Sequence, residues 1–129
     1  MNKKILIACM TVAALLVPAV ATAQQMSSQE RQVWRDVTRL QAILIDAQSN
    51  VDFSASVWTV VANEANALAN RVYSSTRGWR SESAQAANDL RMHVRELHSA
   101  ATRGDESGAK RHAAEGLPFA NTLAGRITM

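Results

Sequence analysis

The stretch from Ala84 to Ile127 constrains the fold most, because it reads as two helices joined by the three-residue polar link Arg103-Gly104-Asp105. In its first arm Leu90, Val94, Leu97 and Ala101 recur four, three and four residues apart, which lays one apolar stripe along a helix. Arg91, Arg95 and Glu96 fall on the other side and read as a solvated face. The second arm carries Ala109, Ala113, Gly116, Ala120 and Ile127 on one stripe, with His112, Phe119 and Leu123 on its shoulder. Gly104 suits the left-handed residue that ends a helix, and Asp105 suits the cap and first-turn charge of the next. A link this short makes the two arms antiparallel neighbours. Pro118 lacks a backbone donor and opposes the carbonyl of Ala114, so the second arm is expected to kink or break there, with Gly116 weakening the same turn.

All three histidines lie on this hairpin. Counting outward from the link puts His98 and His112 at one height on facing arms. His93 stands about 140° round its helix from His98 by the 3.6-residue period. His98 and His112 are therefore the candidate transition-metal pair, with Glu96 and Glu115 the nearest carboxylates by height. Met92 or His93 belongs to a separate candidate site.

Two further helical stretches precede the hairpin. Ser27 to Glu30 forms a capping box. Val33, Val37, Leu40, Leu44 and Ala47 then give the stripe of a first helix from Ser28 to Ser49, with Trp34 and Ile43 widening it. Arg31, Arg35 and Arg39, together with Asp36 and Asp46, read as its solvated side. Asn50 to Phe53 is a connector, and Ser54 or Ser56 caps the second helix. Val57, Val61, Ala65, Leu68 and Val72 give its stripe, with Trp58 and Val60 beside it. Glu64 falls near the buried side and needs a cationic partner, either Arg39 or Arg71. Gly78 ends this helix, and Ser81-Glu82-Ser83 caps the third. Trp79 between Arg77 and Arg80 is a candidate partner-binding group, or else an aromatic folded over the end of its own bundle. The expected fold is thus all-α, an up-down-up-down antiparallel four-helix bundle.

The first 23 residues form a different unit. Met1-Asn2-Lys3-Lys4 is a positive head, Ile5 to Val20 is almost wholly apolar, and Ala21-Thr22-Ala23 is a small-x-small cleavage site. This is a Sec-type secretory signal peptide cut after Ala23, which sends residues 24–129 to the periplasm or beyond as one domain. The apolar run is short for a membrane span, and no later stretch is apolar enough to be one. Cys9 has too little apolar core before it to be a lipidation site. Of 14 Lys and Arg, Lys3 and Lys4 leave with the leader, so 12 basic residues face 11 acidic ones. That balance offers no basic patch for nucleic acid. Cys9 is the sole cysteine, so the mature chain has no disulfide, thiolate chemistry, iron–sulfur cluster or covalent c-type haem.

The segment Ala100-Ala101-x-x-Gly104-Asp105-x-x-x-Ala109-x-x-His112-Ala113 resembles the last hairpin of small exported four-helix bundles. These include the soluble b-type cytochromes of the periplasm and the small metal-binding bundles with His-Ala repeats. The cytochromes hold haem between a methionine near the start of helix one and a histidine near the end of helix four. Here Met26 precedes the first helix, and Leu123-Ala124-Gly125-Arg126 has no histidine. No haem ligand carries over, and the resemblance implies architecture and compartment.

The chain has no glycine-rich phosphate loop, no His-Glu-x-x-His helix and no Gly-x-Ser-x-Gly elbow. The leading expectation is a periplasmic bundle that binds without catalysis, its partner being another envelope protein, a second copy or a small ligand. Two alternatives stay open. One is a transition-metal or haem carrier using the hairpin histidines. The other is a small secreted helical enzyme with arginines lining a concave cavity.

Overall fold

A computed structural model describes residues 26–49 and 54–128, all within four helices and their caps and turns. The expected leader and cleavage site, Cys9, and the connector from Asn50 to Phe53 lie outside the described residues. Helix α1 spans Ser28–Ser49, α2 Ala55–Thr76, α3 Ser81–Thr102 and α4 Glu106–Thr128. Each helix packs on two neighbours, α1 on α2 and α4, and α3 on α2 and α4. The result is a square antiparallel bundle in which chain order is also spatial order.

Local chemistry sets the ends. Ser27 Oγ accepts from the Glu30 amide at 3.1 Å, and Glu30 Oε1 accepts from the Ser27 amide at 3.3 Å, a complete capping box. Ser54 Oγ accepts from the Val57 amide and caps α2. At the end of α3, Gly104 takes φ +75°. The Asp105 amide bonds to Ala100 O at 2.8 Å, and the Gly104 amide to Ala101 O at 3.1 Å. This Schellman pair turns the chain at once into α4, where Asp105 Oδ1 accepts from the Gly108 amide at 2.9 Å.

Four features differ from the sequence expectation. Of the kink or break expected at Pro118, the break does not occur, and α4 continues through the proline. Pro118 and Ala114 are both exposed, so the carbonyl that loses its donor faces water. The stripe of α2 is rotated at its start: Trp58 is buried, whereas Val57 and Val60 are 43% and 67% exposed. The large indole takes the inward position and turns the two valines out. No side chain caps α3, because Arg80 occupies the cap position and Ser83 is buried. Asp36, expected on the solvated side, is only 4% exposed.

Asp36 is tolerated inside because Arg71 reaches it with two bonds, Nε to Oδ2 at 2.7 Å and Nη2 to Oδ1 at 2.6 Å, while Gln32 donates to Oδ1 at 2.9 Å. These bonds hold the Arg71 guanidinium further toward its charged form. Glu64 takes the other arginine. Arg39 Nε donates to it at 2.6 Å, and this bond holds the Glu64 carboxyl below its ordinary value.

The core is unequal in bulk. Leu40, Leu44, Leu90, Leu97 and Leu123 are fully buried with Val33, Val37, Val72 and Val94. Between them, alanines such as Ala62, Ala65, Ala87, Ala109, Ala113 and Ala120 are also fully buried. Small side chains on α2 and α4 leave room for those backbones to approach the leucines opposite. Each buried leucine contributes about 1.5–3 kcal/mol of transfer free energy. No described helix is long and apolar enough to cross a membrane.

Candidate functional site

The groove between α3 and α4 brings together three side chains that can ligate a metal. His112 and Glu115 stand three residues apart on α4 and so share a face. His93 comes to them from α3. His93 Nδ1 lies 3.4 Å and His112 Nδ1 3.6 Å from the same oxygen, Glu115 Oε2. The donor atoms of the three residues all lie within 4.8 Å of one another. Both distances are long for hydrogen bonds, and His112 Nδ1 is buried with no hydrogen-bond partner among the described residues.

The backbone explains how His93 gets there. At Gly116 a Cβ would stand 3.2 Å from the His93 Cβ, so the missing side chain lets α4 approach α3 at this level. The His93 ring then stacks on Phe119, with centroids 5.6 Å apart and planes 12° apart, and tilts toward His112 at 6.1 Å. Phe119 thereby limits the turning of the ring. Glu115 Oε1 faces Arg111 at 3.9 Å, which leaves Oε2 for the histidines. His93 and His112 also line, with Asp89, Met92, Arg95 and Glu96, a depression of about 180 Å³ that opens to solvent.

The pairing of His98 with His112 does not form. His98 Nε2 instead donates to Asn63 Oδ1 on α2 at 2.7 Å. Direction round the helix decides the partners. His98 leans to α2, and His93, about 140° away, leans to α4. In the structure the side chains near His112 are therefore His93 and Glu115, with His98 held by Asn63. Met92 is half exposed on the rim, and Glu96 points outward.

Trp79 packs partly buried against the core, at the end of the bundle where α1 and α3 begin. With Arg80, Glu30, Glu82 and Arg126 it lines an open cleft of about 610 Å³. Arg126 is tied to Glu82 across that cleft by a direct ion pair. Arg77 is exposed in the preceding turn and is not part of the lining. Of Arg77, Trp79 and Arg80, the cleft therefore gathers Trp79 and Arg80 and leaves Arg77 outside its lining.

Comparisons with protein-family models, curated proteins and solved structures give no match.

Proposed function

We propose that this chain is an exported helical-bundle protein of the periplasm or cell exterior that acts by binding, without catalysis. The leader and cleavage site read from the sequence support export. The observation that carries binding is the placement of the polar groups. The inner faces meet in an aliphatic core, while His93, His112 and Glu115 converge in the open groove between α3 and α4. A ligand held there is reached from solvent and released to it. Four arginines are engaged within the bundle itself: Arg39 with Glu64, Arg71 with Asp36, Arg126 with Glu82, and Arg91 over the Tyr73 ring.

The test is purification of the mature chain from its native envelope fraction, with elemental analysis and mass spectrometry of what travels with it. The proposal expects a stoichiometric species that is released chemically unchanged on denaturation. Turnover of a compound, lost when a mature-chain carboxylate is neutralised, overturns it.

A further inference from the structure

We infer that His93, His112 and Glu115 form a binding site for a divalent transition metal ion of the zinc type. This inference rests on the binding reading above and names the ligand of that groove. Three observations carry it. Two imidazoles and one carboxylate are the donor set of an open zinc site, in which water takes the fourth position. A metal with bonds of about 2.0–2.2 Å in tetrahedral geometry separates its donors by about 3.3–3.6 Å. The two nitrogen-to-oxygen separations here, 3.4 and 3.6 Å, already match that edge. The buried His112 Nδ1 has no hydrogen-bond partner among the described residues, and a metal ion in the groove would satisfy it.

The surroundings suit the same ion. Two ligands at i and i+3 on α4 form a chelate on one rigid helix, and the third comes from the helix packed most closely against it. Phe119 and Gly116 fix the His93 ring, as a positioning shell does in metal sites. Glu115 is 45% exposed, which leaves an approach for the ion and for water. The bound ion would tie α3 to α4 near the middle of the bundle and add to its stability by mass action.

The test is calorimetric titration of the chelator-treated mature chain with Zn²⁺ alone. The expected result is one ion per chain, with Glu115→Gln and His112→Ala each weakening affinity at least about tenfold and His98→Ala leaving it unchanged. Glu115 is exposed enough for its variant to fold, and circular dichroism checks this for all three. X-ray absorption at the zinc edge should show two imidazoles in the wild-type shell. No zinc uptake, or uptake indifferent to Glu115→Gln and His112→Ala, overturns the metal site and leaves the binding reading to the native purification. A carboxylate-dependent turnover overturns the binding reading, while the metal site is still decided by the variants.

Discussion

Arg71→Ala should be the most costly truncation of a charged side chain in the bundle, and the structure sets its size. The variant removes both bonds from a carboxylate that is 4% exposed and leaves only the Gln32 amide on it. Breaking a fully buried ion pair costs about 3–5 kcal/mol. The Arg71 side chain is 55% exposed, so water reaches the freed edge of Asp36 and lowers the cost to about 2–3 kcal/mol. For a domain of roughly 100 residues this is a fall in Tm of roughly 10–20 °C. Arg39→Ala is the internal control. Its pair with Glu64 has the same chemistry, but the side chains are 58% and 39% exposed, so the loss should be under about 1 kcal/mol. Adding Asp36→Asn to Arg71→Ala removes the stranded charge and should return at least about 1 kcal/mol. Urea unfolding of the mature chain at neutral pH, followed by circular dichroism, measures all four proteins. Equal and small losses for the two arginines would refute the claim that burial of Asp36 sets the cost.

Three further outcomes follow from the same geometry. Pro118→Ala should stabilise the protein by about 1–3 kcal/mol, because α4 is already continuous and the new amide can bond to Ala114 O; a loss in urea unfolding would show that the helix needs the proline. Gly104→Ala should cost about 1 kcal/mol from backbone strain alone, since φ is +75° and a Cβ there meets nothing within 4 Å; an unchanged urea midpoint would contradict it. Glu64 is held below its ordinary carboxyl value by Arg39, so its contribution is complete above about pH 5 and is lost as pH falls through the lowered value. Being solvent-screened, it amounts to less than about 1 kcal/mol. The difference in Tm between wild type and Glu64→Gln should therefore shrink on acidification, and a gap that widens would contradict it.

The helices were legible in the sequence because their signals are local. Three-and-four spacing, the Ser27 capping box and the Gly104-Asp105 turn each act within a few residues, and all appear where expected. The side-chain partnerships were less legible because they depend on how each helix is turned against its neighbours. Asp36 on α1 reads as solvated until α2 brings Arg71 to it. Trp58 and Val57 compete for the inward position, and the choice follows from which neighbour can accommodate an indole. Pro118 leaves the Ala114 carbonyl without its donor, and sequence does not give the exposure of Ala114 that lets water reach it. The histidines show the same division. Their heights follow from counting along the hairpin, whereas the choice of His93 over His98 depends on the Gly116 approach and the Phe119 face.

The central claim is that the groove between α3 and α4 is a binding site built by His93, His112 and Glu115. Its most direct measurement is the imidazole NMR spectrum of the mature chain during titration with Zn²⁺. The account predicts that the His93 and His112 ring signals shift together and saturate at one ion per chain, while His98, bonded to Asn63, stays in place. Movement of His98 with His112, or three unmoved histidines, would contradict it.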